Sequence, residues 1–260
     1  MGTVTYRHGI AILQLIVFPF ILVAGVFIWS RAGWKVGSKI WRYPVTLSLI
    51  RIAGCIASLV SIDHDSHDTE VAVAVCELIG IAPLLLTYIG ILRQIDTEKR
   101  MPPRFIPAVT IICIIGLILG IAGFSTADTQ NGTYHPSKIV KASMGIFLGV
   151  FALVLLLTAF LYIQLQGRLR AFQKKLFLAI VLSMPFLIVR LVYSAISDYG
   201  HDSRFTVLVG DPTVFLCMSV LEEIVAMVVT MVLGVSAVRE ADFVRVALPE
   251  QNSGRKVERV

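Results

Sequence analysis

"LFLAIVLSMPFLIVRLVYSAIS", Leu176 to Ser197, is 22 residues long and carries one charged side chain, Arg190. As a helix rising 1.5 Å per residue it spans about 33 Å, enough for a hydrocarbon layer of about 30 Å. Backbone N–H and C=O groups in lipid find no water, so such a run has to bond within itself as a helix. An uncompensated guanidinium at that depth costs roughly 2.5–3.5 kcal/mol on insertion scales. The stretch therefore reads as a membrane helix whose arginine faces a protein interior and meets a partner there.

Six more runs satisfy the same length. They are His8 to Ser30, Tyr43 to Ile62, Val71 to Leu92, Phe105 to Phe124, Ile139 to Ile163 and Pro212 to Val238. The whole chain, 260 residues, is 57% hydrophobic and only 15% charged, with a mean hydropathy of +0.83, far above an ordinary soluble domain. Alternating ten-residue strands of a membrane barrel are absent. The predicted fold is all-α, a seven-transmembrane-helix bundle over residues 1–238, with 239–260 as a polar, disordered cytosolic tail. The first run is too long for a signal-peptide core and is read as a retained helix.

Charge sets the orientation. The first, third and fifth connections hold Arg31, Lys35, Lys39 and Arg42, then Arg93, Lys99, Arg100 and Arg104, then Arg168, Arg170, Lys174 and Lys175, and the tail adds five more. The other side has Arg7, Lys138, Lys141 and Arg204. The positive-inside rule places the N-terminus outside and the C-terminus in the cytosol, in the endoplasmic reticulum or plasma membrane. "NGT" at Asn131 to Thr133, a glycosylation sequon, falls on the outer side in that topology. The net charge of +6 belongs to these loops and meets an anionic leaflet, so the bilayer is the partner and no nucleic-acid surface is implied. All four cysteines lie inside apolar runs and read as free, packed thiols. Pro19, Pro83 and Pro185 fall inside spans, where they are expected to kink helices.

Five charged groups lie within the spans: Arg51, Glu77, Arg190, Glu222 and Glu223. At 1.5 Å per residue, Arg190 and Glu77 sit roughly 10 Å below the outer ends of their helices, and Glu222 and Glu223 roughly 15 Å down, level with Arg51. Arg190, Tyr193, Ser194 and Ser197 share one helical face, as do Ser48, Arg51, Cys55 and Ser58, and Ser219, Glu223 and Thr230. Glu223 is the inward candidate. Glu222, turned about 100° from it, needs its own partner or stays protonated. Two arginines do not balance three glutamates, and a spare buried carboxylic acid is a proton donor in waiting. The same five groups also serve simply to tie helices together.

"DHDSHDTE", Asp63 to Glu70, fits no fixed metal-ligand spacing and reads as a solvated acidic loop, so no metal and no cofactor are expected. The last run lacks the Schiff-base lysine of retinal proteins, receptor signatures at the ends of helices three and seven are absent, and the five histidines map to outer segments.

"RIAG", "CELIGIAPLLL", "PFLIVRLVYS" and "VLEEIV" together resemble an uncharacterised family of seven-helix integral membrane proteins of filamentous fungi. The likeness covers Arg51 to Gly234 and puts Arg51, Glu77, Arg190, Tyr193 and Glu223 at the family's polar positions. Members often lie near secondary-metabolite pathways, so the resemblance implies a lipophilic substrate. A looser similarity to fungal lipid-translocating exporters rests on the arginine and aromatic pair of helix six and the glutamate of helix seven. Two classes of function follow as expectations. One is an acid-base membrane enzyme, terpene-cyclase-like, with Glu223 or Glu222 as acid and Tyr193, Tyr88 and Phe186 lining a cavity. The other is a transporter or lipid-binding sensor using the same charges, beside which a structural role with no ligand stands open.

Overall fold

The computed structural model describes residues 6–38, 40–60, 79–98, 100–102, 104–125, 129–130, 133–134, 137–200 and 210–243. Its elements are α1 (Tyr6–Ala32), a short α2 (Trp34–Gly37), α3 (Arg42–Val60), α4 (Ile81–Ile95), α5 (Phe105–Ser125), α6 (Lys138–Leu165), α7 (Ala171–Tyr199) and α8 (Pro212–Val238). Six of them, all but α2 and α4, are long and apolar enough to cross a membrane. One feature went unforeseen, a ladder of Thr129–Gln130 on Thr133–Tyr134 in antiparallel register. Its signal is the Asn-Gly pair between them, the commonest two-residue hairpin sequence.

The bundle is inside-out by the standards of a soluble protein. Ile111, Ile115 and Ile118 of α5 are 57%, 47% and 59% exposed, a stripe that only lipid solvates without cost. In contrast α4 is buried on every side apart from Arg93, and it touches α3, α5, α6 and α7. A helix apolar all round belongs at the centre of a bundle. Pro83 lies in its first turn, just after the break at Gly80 that separates Ile81 from the helical Ile79, a position where a proline's missing N–H costs least. The other end of α4 is held by Gln173 of α7, whose Nε2 donates to the carbonyl of Ile95 at 2.8 Å.

Apolar burial gives helices little reason to associate in lipid, so close packing and polar contacts carry that task. On α5, Gly116, Gly120 and Gly123 form a small-residue stripe pressed on α6. A Cβ at Gly120 would lie 3.0 Å from Ser143 Oγ, and one at Gly123 would lie 2.9 Å from the backbone nitrogen of Val140. Ser143 Oγ, so admitted, donates to the carbonyl of Gly116 at 2.6 Å. Helices α1 and α8 run parallel, since Arg7 Nη2 donates to the carbonyl of Gly210 at one end (2.9 Å) and Arg239 stacks over Phe27 at the other.

Cys55 and Cys113 are buried thiols outside any disulfide, Cys55 donating to Gln14 Oε1 at 3.2 Å, but Cys217 is exposed, because it falls on the outer face of α8. Residues 239–243, assigned above to the tail, pack back on the bundle. Asp242 accepts a hydrogen bond from the first backbone N–H of α7 at 2.7 Å, and the ring of Phe243 meets that of Phe172 edge-on at 5.6 Å.

Candidate functional site

Three helices bring their buried charges to one point. Arg51 of α3 donates from Nε to Glu223 Oε1 at 2.6 Å and from Nη2 to Oε2 at 2.5 Å. Arg190 of α7 reaches the same Oε2 from Nη1 at 2.6 Å. All three side chains are at most 3% exposed. One carboxylate thus lies between two guanidiniums, and Arg51 grips it with the two-pronged geometry that suits a planar cation to a planar anion.

Local backbone features make room for this. The segment Leu216–Val220 of α8 is a π turn, an extra residue in the helical register of a kind often found at functional sites. Within it, Ser219 offers both its carbonyl (2.8 Å) and its hydroxyl (3.1 Å) to Arg190 Nη1. Gly80, at the head of α4, closes the site from the fourth side. A Cβ there would run into the guanidinium nitrogens of both arginines and lie 2.9 Å from Glu223 Oε2. The lack of a side chain at position 80 is therefore what allows the two cations to converge.

Beside the triad lies a cavity between the head of α4 and helices α5 to α8. Its walls include Leu117, Met144, Phe147 and Phe215, and its polar groups are Ser143, Arg190, Tyr193, Ser194, Ser197, Asp198 and Ser219. Its volume is about 50 Å³, space for a few waters or one slim chain. Tyr193 is 1% exposed, and its ring packs on Phe215 at 6.2 Å. Asp198, 7% exposed, stands about two turns beyond Arg190 along α7. Towards the other end of α8 a second polar cluster ties three helices: Tyr88 and Thr230 hydroxyls are 3.2 Å apart, and Ser183 lies 3.4 Å from Thr230.

The residues singled out in the sequence divide accordingly. Arg51, Arg190 and Glu223 meet, and Tyr193 lines the adjoining cavity. Glu222 stands apart, half-buried and outside the cavity lining, with Oε2 shielded from solvent and accepting no hydrogen bond. Tyr88 and Phe186, expected to line a cavity, do not line this one. Glu77, Asn131 and the Asp63 to Glu70 loop lie outside the described residues. Among the described residues no three His, Cys, Asp or Glu side chains cluster as metal ligands. Gly80 and Asp198 were not foreseen in these positions, whereas Ser219 lies on the inward face that its spacing from Glu223 indicated. The glycine stripe of α5 had a readable signal, a G-x-x-x-G within an apolar run; Gly80 had none, because its role exists only once three other helices surround it.

A family model described as "Domain of unknown function (DUF7702)" matches residues 4–240. No curated protein and no solved structure matches the chain.

Proposed function

We propose, for a chain that belongs to the DUF7702 family and so draws its function from its own residues, a membrane-embedded binding protein of the sensor or transporter class. Its ligand is a slim lipophilic molecule with one polar end. The observation that carries this reading is the cavity, which combines apolar walls with Arg190 and Tyr193 in its lining. A narrow chain lies against Leu117, Met144 and Phe147 while a hydroxyl, carbonyl or carboxylate at its tip meets the guanidinium, in the manner of small-molecule sites that combine apolar walls with a few placed polar groups. The triad has a supporting part: it fixes Arg190 in place and keeps a cation available at the base of the cavity.

In this reading the bundle has seven spans, the third being the apolar run Val71 to Leu92, with the N-terminus outside and residues 239–260 in the cytosol, in a membrane of the secretory route. Glycosylation mapping tests the orientation. Asn131 is expected to accept a glycan while a sequon engineered beside Arg170 does not; modification of the engineered site alone inverts the topology.

A second reading, an acid-base enzyme acting on a lipophilic intermediate, rests on Glu222. Glu223 already receives two charge-assisted hydrogen bonds from Arg51 and an ion pair with Arg190 and is suited to holding charge, not to donating a proton. Glu222 Oε2, shielded and without a hydrogen bond, is the better acid. At about 50 Å³ the cavity is small beside the roughly 300–1,000 Å³ of typical ligand sites, which favours binding of a thin chain over folding and cyclising one.

The test is chemical extraction of the purified protein. A lipophilic species is expected to co-purify with the wild type and to be absent from Ser194→Phe, whose ring fills the cavity, while the variant keeps the wild-type melting temperature. Equal recovery from both proteins, or from neither, removes the cavity as a ligand site.

A further inference from the structure

We infer that the groove between α1 and α8, at the Lys/Arg-rich end of the bundle, is a binding site for one anionic phospholipid. The groove has a volume of about 450 Å³ and is separate from the cavity beside the triad. Its composition changes along one helical face of α8. Met231, Val232 and Val235 come first, then Ser236 and Arg239 one turn further on. An apolar wall that ends in a hydroxyl and a cation has the polarity of an acyl chain running up to its headgroup.

The facing helix repeats the gradient. Ala24 of α1 lines the groove, and one turn on, Phe27 is flanked by two guanidiniums, Arg239 at 5.6 Å and Arg31 at 5.8 Å from the ring centre. The one acidic group on the rim, Glu240, is paired with Lys175, so Arg239 and Arg31 leave an uncompensated positive field at the headgroup level. Both arginines are exposed. Val232 is 62% exposed, so the apolar wall opens to the surrounding hydrocarbon and a lipid enters sideways from the bilayer. Basic pockets of this kind, between helices on the leaflet where positive residues gather, recognise anionic headgroups. Free phosphate would leave Val232 and Val235 of α8 uncovered, which is why the occupant is a phospholipid.

The experiment uses the full chain in mixed micelles containing phosphatidylserine or phosphatidylcholine, with native mass spectrometry counting the lipids retained. One phosphatidylserine is expected to stay bound in preference to phosphatidylcholine. Arg239→Gln, at an exposed position, is expected to weaken retention roughly fivefold, as follows for one basic group near an anionic surface. Arg100→Gln, which removes an exposed arginine on a connecting loop, is expected to change nothing. Equal retention of the two lipids, or wild-type retention by Arg239→Gln, overturns the site, and so does an equal loss in Arg100→Gln, which would mean diffuse attraction. Val232→Trp obstructs the apolar wall and is expected to release the lipid; full retention there also counts against the groove, and a dimer that forms in place of the lipid-bound monomer assigns it to a second copy.

Discussion

Replacing Glu223 with Ala is expected to lower the unfolding free energy by about 3–5 kcal/mol, the cost of taking one partner out of a buried ionic network. The reason is geometric. Both Arg51 and Arg190 aim at this carboxylate from opposite helices, so its removal sets two desolvated cations against each other. Unfolding in mixed micelles with a graded denaturing detergent measures the loss, alongside the yield of monodisperse protein. Glu223→Gln separates shape from charge. It keeps an acceptor oxygen for one guanidinium but replaces the other with an amide that can only donate, and a partial loss is expected. If Glu223→Ala is as stable as the wild type, the triad is not what fastens α3, α7 and α8.

Gly80→Ala is expected to be nearly as damaging, at least about 3 kcal/mol, although it adds a single methyl group. Overpacking a core ordinarily costs about 1–3 kcal/mol. Here the added atom meets guanidinium nitrogens instead of flexible hydrocarbon, and moving them breaks the buried ion pairs as well. Because both substitutions act through the same contacts, their effects are expected to be strongly non-additive. Gly80→Ala should cost much less in a Glu223→Ala background than alone. A double mutant whose loss equals the sum of the two singles would show that Gly80 acts through something other than the triad.

A great deal of the bundle was legible beforehand for a physical reason. Lipid solvates no backbone group, so a run of about 20 apolar residues has a single way to satisfy itself, and helix positions follow from composition alone. The run from Pro212 to Val238 and that from Phe105 onwards coincide with described helices. The inward faces were also readable, since helical periodicity put Arg190 with Tyr193 and Glu223 with Thr230, and all four are buried. Periodicity is a property of one helix at a time. It says which way a side chain faces but not which neighbour stands there.

Partnership was therefore decided only in three dimensions. The sequence offered three glutamates to two arginines; among the described residues both arginines meet Glu223, while Glu222, one residue away, is half-buried with an oxygen that accepts no hydrogen bond. That choice depends on the rotation of α8, which a π turn alters, and on the approach of α4 allowed by Gly80. Neither leaves a mark in hydropathy. Composition and local period fixed where the chain crosses and which faces turn inward, because those follow from each helix's own contest between lipid and protein. The meeting of one carboxylate with two cations, and the cavity beside it, were decided by interhelical rotation, depth and close approach, which arise only when the helices pack together.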